Sequence, residues 1–195
     1  TDFAGNQQLV NVSSVVVDNT APNNSIVLPV RFANLSGSFL VNASVNDSLS
    51  AVVKVNLTVY NSTGNATGLI VMSLGAGTSS AGYWNVTFDS SALADGFYNL
   101  SVNATDSLGN VNVSANVTVT VDNAEANVSG VVPVNDSVFA GQNFLVNASV
   151  NDSLSRVMAV AFRFISPTTT SSWLSATLGV GTATAGFWNI TVNSN

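Results

Sequence analysis

The stretch NVNVSANVTVTVD, residues 110–122, alternates apolar and polar residues without a break. Val111, Val113, Ala115, Val117, Val119 and Val121 fall on one side of an extended chain. Asn112, Ser114, Asn116, Thr118, Thr120 and Asp122 fall on the other. A period of two is that of a β-strand with one buried and one solvated face. The pattern returns in Tyr98, Leu100, Val102 and Ala104 against Asn99, Ser101, Asn103 and Thr105. It returns again in Val53, Val55, Leu57 and Val59 against Lys54, Asn56 and Thr58. No segment shows a 3.6-residue period. The breaks NDSLS, NSTGN, GAGTSSAG, DSSALADG and DSLGN are rich in turn-forming residues. About seven strands per hundred residues follow, near 25–31, 38–46, 51–60, 68–74, 82–89, 96–105 and 110–121, the density of a two-sheet, all-β sandwich.

The chain also repeats itself. FLVNASVNDSLS occurs at residues 39–50 and again, unchanged, at 144–155. SLGAGTSSAGYWNVT (73–87) returns as TLGVGTATAGFWNIT (177–191), and TDFAGN (1–6) as TDSLGN (105–110). The period is therefore about 104 residues, the scale of one domain. It divides the chain into three parts: residues 1–18, the terminal strand of a preceding or neighbouring repeat; 19–122, a complete domain; and 123–195, a second domain without its last strands. Below, 19–122 is the first repeat and 123–195 the second.

Composition narrows the function classes. Only 7% of the 195 residues are charged, with ten acids against four bases for a net charge of −6. Nucleic-acid binding needs a basic patch, so no nucleic-acid partner is expected. There is no Cys and no His, which removes disulfides, the usual zinc ligand sets and most nucleophile–base pairs. No apolar run approaches the roughly 20 residues of a membrane span. Gly75, Gly77 and Gly82 lie in a turn with no following helix, so phosphate binding is not expected.

TDSLGNVNVSANVTVTVDN and VDNTAPNNSI resemble the end and start of prokaryotic immunoglobulin-like tandem repeats. Such repeats are common in surface proteins, adhesins and S-layer-associated proteins of bacteria and archaea. The resemblance implies an immunoglobulin-like sandwich with a stalk or scaffold role and no catalytic residues. The chain departs from antibody domains in having no Cys pair and in placing Trp84 and Trp188 late in each repeat. Tyr83-Trp84 and Phe187-Trp188 read as core or sheet-edge aromatics, with a sugar-binding platform as the alternative.

The surface needs solubility that charge does not supply, and 26 Asn with 44 Ser and Thr provide it. Asn-x-Ser/Thr is the N-glycosylation acceptor, and composition alone gives roughly six such triplets. The chain has 18: Asn11, Asn23, Asn34, Asn42, Asn46, Asn56, Asn61, Asn65, Asn85, Asn99, Asn103, Asn112, Asn116, Asn127, Asn135, Asn147, Asn151 and Asn189. In 13 of them the middle residue is apolar. On a strand, that spacing turns Asn and hydroxyl outward while the middle residue enters the core. Asn is a poor strand former, so its repeated use there asks for a reason. N-linked glycans are therefore expected. Dense sequons without cysteine point to an archaeal source.

No sequon lies between Asn151 and Asn189. The outward row Lys54, Asn56, Thr58, Tyr60 of the first repeat has the counterpart Ala159, Ala161, Arg163, Ile165 in the second. This barer face is expected to contact another domain or subunit through Ala159, Ala161 and Ile165. Residues 7–18 carry Val12, Val15 and Val17 in a final-type strand, and the second repeat lacks counterparts of residues 92–104. Donor and acceptor at opposite ends imply a head-to-tail array, by covalent continuation or strand donation. Asp18, Asp122, Asp47, Asp152, Asp95 and Asp106 read as turn formers. No cofactor is expected, with calcium at the Asp18 and Asp122 junctions as the alternative. The functional expectation is a non-enzymatic structural subunit of an extracellular, cell-surface filament or stalk, partnered by copies of itself, with glycan or cell-surface contact open. The alternatives are an adhesin module for carbohydrate or protein, and an accessory domain of a secreted enzyme.

Overall fold

A computed structural model describes residues 2–7, 15–139 and 141–193. Among them the chain forms strands and no helix. In order these are β1 (Asn23–Leu28), β2 (Asn34–Leu35), β3 (Ser38–Asn46), β4 (Val52–Asn61), β5 (Gly64–Val71), β6 (Ser73–Gly77), β7 (Ala81–Asp89), β8 (Gly96–Asp106), β9 (Val111–Val113) and β10 (Val117–Val121). The second repeat contributes β11 (Asn127–Val132), β12 (Asn143–Asn151), β13 (Ala161–Phe162), β14 (Leu174–Ser175), β15 (Thr177–Gly181) and β16 (Ala185–Asn193).

The first repeat is a sandwich of two sheets. One has the order β1-β3-β7-β6; the other has the order β2-β10-β8-β4-β5, with β9 on β8. The inward rows are those that the alternation implies. Val41, Ala43 and Val45 of β3 are fully buried. On the other sheet Val55, Leu57 and Val59 of β4 lie opposite Ala104, Val102 and Leu100 of β8, all buried. Each large side chain taken out of water in this way contributes about 1.5–3 kcal/mol. The second repeat rebuilds the first sheet as β11-β12-β16-β15, and β13 and β14 form a two-stranded sheet.

Three details differ from the plain alternation. The strand expected at 68–74 divides at Met72: β5 pairs with β4, whereas β6 pairs with β7. Met72 is buried and donates its N–H to the Val55 carbonyl (2.9 Å). Such a change of sheet turns the corner of a sandwich. The strand expected at 110–121 divides likewise. Val111 and Val113 are exposed, Ser114 is buried with its hydroxyl accepting the Val102 N–H (2.9 Å), and the apolar side returns inward only at Val119 and Val121. There β10 runs parallel to β2, a two-residue strand that the sequence pattern does not announce. Finally, the register shifts between Val52 and Lys54, so Val52 is buried and Val53 exposed.

By its contacts the chain divides into two compact units. One holds Thr1–Val30, Leu40–Phe88 and Asn99–Val117; the other holds Arg31–Phe39, Asp89–Tyr98 and Thr118–Asn195.

Candidate functional site

Strand geometry decides which sequons face solvent. Asn42, Asn103 and Asn147 follow the expected arrangement: each is partly exposed, while Ala43, Ala104 and Ala148 beside them are fully buried. Asn23, Asn34, Asn46, Asn65, Asn116, Asn127, Asn135 and Asn151 are exposed; Asn61, Asn85, Asn99, Asn112 and Asn189 are partly so. The β4–β5 hairpin presents two acceptors in succession. There Asn61 Oδ1 accepts both the N–H (2.9 Å) and the hydroxyl (2.7 Å) of Thr63, and Asn65 Oδ1 accepts the Thr67 N–H (3.0 Å). Asn11 and Val12 lie outside the described residues.

Two sequons depart from the outward arrangement. Asn56 is only 4% exposed and Thr58 is 5% exposed, so the row Lys54, Asn56, Thr58, Tyr60 is not solvated along its length. The reason is position: Asn56 sits on the strand between β5 and β8, in register with Val71 and Asn103. Asn112 turns its amide inward and donates Nδ2 to the Pro22 carbonyl (2.9 Å), while its middle residue Val113 faces water. On the other sheet, the Asn85 amide lies where a Cβ on Gly75 would stand (1.9 Å), and the Asn189 amide does the same at Gly179 (2.0 Å). A side chain at either glycine would displace the asparagine.

Acids distant in sequence meet. One oxygen each of Asp18, Asp47 and Asp106 lies within 4.8 Å of the others, and all three residues are buried. Asp47 Oδ1 accepts the N–H groups of Leu49 (3.0 Å) and Ser50 (2.8 Å). Burial pushes the Asp106 carboxyl up. Hydrogen bonds from the Asn110 side chain and backbone, the Ser50 hydroxyl and the Leu108 N–H outweigh that and hold it at about 2. Asp18 Oδ2 is buried with no hydrogen-bond partner. Three oxygen ligands of this kind match a hard divalent cation. Asp18 and Asp122 were expected at junctions; the structure adds their companions. Asp122 lies beside Asp152, whose carboxyl burial raises, and which Leu154, Ser155 and the Asp122 side chain together bring below the usual range.

The barer face is exposed at Ala159, Ala161, Arg163 and Ile165. The Arg163 guanidinium lies 4.7 Å from the ring centre of the exposed Trp173. Beside this face, a groove of about 760 Å³ opens between Val131, Phe144, Val146, Phe162, Phe164 and Ile165. Phe139 stacks on Phe144 (4.0 Å), and Phe144 meets Phe164 edge-on (5.9 Å). Val15 and Val17 are 72% exposed and belong to no strand. Trp84 and Trp188 are buried core residues, while Tyr83 and Phe187 beside them are exposed.

The two-sheet order and the buried alternating rows define the fold class. Residues 37–123 match the bacterial Ig-like domain. The chain is all-β and Ig-like, and Ig-like domains are typically non-catalytic. Among solved structures, the chain is similar to an endo-beta-1,4-mannanase from Thermotoga petrophila, at 16% identity and a TM-score of 0.43 over 55% of this chain and 21% of that one. It is also similar to fibronectin(III)-like modules of Clostridium thermocellum CbhA, at 18% identity and 0.36 over 89% and 80%. A marsupial T cell receptor aligns at 10% identity and 0.36 over 90% and 89%. The chain thus spans about a fifth of the mannanase chain. Comparison with curated proteins gives no match. Among the described residues no helix is long and apolar enough to cross a membrane.

Proposed function

We propose that this chain is a structural subunit of an N-glycosylated extracellular filament or surface stalk, its repeats (1–18 with a neighbour, 19–122, 123–195) joined head to tail. The observation that carries this reading is the groove of the second repeat. Its counterpart row in the first repeat, Val55, Leu57 and Val59, is sealed, whereas Val160, Phe162 and Phe164 are only half-buried. An apolar strand added along this row would bury it, and the exposed valines 15–17 have the composition for that role. The chemistry asked of the protein is cohesion and a wet coat, not turnover.

Glycans are assigned here to the exposed sequons. Asn61 and Asn65 stand in succession on the β4–β5 hairpin and carry glycans, and Asn56 carries none, because its burial leaves no room for a sugar. Peptide mapping of the secreted protein tests this: occupancy at Asn61 and Asn65 with a bare Asn56 is expected. A polypeptide whose intact mass does not change on deglycosylation would remove the coat from the account.

A further inference from the structure

β6 and β15 are the open edges of two like sheets, last in the orders β1-β3-β7-β6 and β11-β12-β16-β15. Both are exposed along all five residues. An open edge offers unpaired N–H and C=O groups to any strand that meets it, and proteins guard such edges with charge, proline, a bulge or a cover. Each edge has one register shift, between Leu74 and Ala76 in β6 and between Leu178 and Val180 in β15. Neither SLGAG nor TLGVG carries a charge or a proline.

The strand beside each edge supplies a cover. Tyr83, Asn85 and Thr87 share the outward side of β7, with Trp84 buried between them; Phe187, Asn189 and Thr191 do the same on β16, with Trp188 buried. Asn85 and Asn189 are glycan acceptors, and Thr87 and Thr191 are their exposed hydroxyl residues. The amide nitrogen of Asn85 fills the place that a Cβ on Gly75 would take, and that of Asn189 the same place on Gly179. This nitrogen is the atom that takes the sugar, and it is aimed across a glycine onto the edge strand. In the second repeat Asn189 stands in register between Asn147 and Thr177. Its amide therefore points away from Asn147, which is itself an acceptor, so two sugars on neighbouring strands would diverge. Tyr83 and Phe187 lie two residues before their acceptors on the same face, about 6.6–6.8 Å along the strand. They are 47% and 48% exposed, and in register with Ala76 and Val180 of the edges. The ring is common to the two positions and the hydroxyl is not, which is the signature of packing rather than hydrogen bonding.

We propose that the first sugars on Asn85 and Asn189 lie across Gly75 and Gly179, seated on the Tyr83 and Phe187 rings, and so cover the open edges β6 and β15 against strand addition. The inference rests on the glycan reading above and gives two of its sugars a task beyond solubility. The C–H face of a sugar ring is weakly electropositive and suits the negative face of an aromatic ring. A side chain in place of either glycine would fill the path the sugar takes.

The test uses the secreted full chain, with site occupancy read by peptide mapping and edge exposure by amide hydrogen exchange over residues 73–77 and 177–181. Thr87→Ala with Thr191→Ala removes both acceptor sites and keeps the asparagines. Tyr83→Ser with Phe187→Ser removes both rings and keeps the sites. Thr63→Ala with Thr67→Ala strips the β4–β5 hairpin as a control. Wild type should carry sugar on Asn85 and Asn189, and each of the first two pairs should speed exchange at the two edges at least about threefold, whereas the control pair should leave it unchanged. If Asn61 and Asn65 carry sugar while Asn85 and Asn189 are bare, the edge cover falls and the glycan reading stands. If Asn85 and Asn189 are occupied but neither pair moves edge exchange, the edge cover again falls alone. If only the threonine pair moves it, the cover stands and the aromatic seat falls. If no asparagine carries sugar, both readings fall.

Discussion

The two repeats share the words FLVNASVNDSLS, and in β3 and β12 those words fold with the same burial, residue for residue. The sheets opposite them do not match. In the first repeat β4 is flanked by β5 and β8 and its apolar row is sealed; in the second, β13 pairs with β14 and the row stays half open. The difference teaches that a local pattern sets a strand and its inward face, while closure of the core depends on strands from elsewhere.

Four expectations press on this contrast. The largest effect is in the sealed core. Leu57→Ala should cost about 2–5 kcal/mol, whereas Phe162→Ala, already half-solvated, should cost clearly less in denaturant unfolding of the monomer; equal losses would mean the second core is as closed as the first. Next, Gly75→Ala and Gly179→Ala should cost the same, about 1–3 kcal/mol each, because each displaces an equivalent asparagine amide, Asn85 or Asn189, on the sheet that recurs in both repeats. Third, Asp106 has a lowered folded-state pKa, so its contribution is present above the ordinary value of 3.8 and is lost as pH falls toward about 2. Acid titration followed by unfolding should show first-repeat stability declining through that window, and Asp106→Asn should flatten the decline. The smallest effect on stability belongs to Ala159→Lys with Ala161→Lys, within about 0.5 kcal/mol for exposed sites; the pair should nonetheless weaken assembly.

Much of this was legible in the residues. Alternation gives the inward rows of β8 and, from Val55 onward, of β4, and self-similarity gives the period. The strand breaks at Met72 and Ser114 were not legible, since each is set by which sheet the next residues join. The burial of Asn56 was hidden for the same reason: its neighbours Val71 and Asn103 come from other strands. The acidic centre was half visible. Asp18 and Asp122 marked repeat junctions, and Asp47 and Asp152 marked matching turns, but each alone reads as a turn former. Only chain closure brings Asp106 to Asp18 across 88 residues of sequence. The recurrence of TDxxGN at 1–6 and 105–110 was the signal that pointed toward it.

The central claim is that copies join by filling the open row of the second repeat. Electron cryomicroscopy of the purified chain tests it most directly. The account predicts regular fibres in which density for an added apolar strand runs along Val160, Phe162 and Phe164. Discrete particles, or fibres in which that groove stands empty, would contradict it.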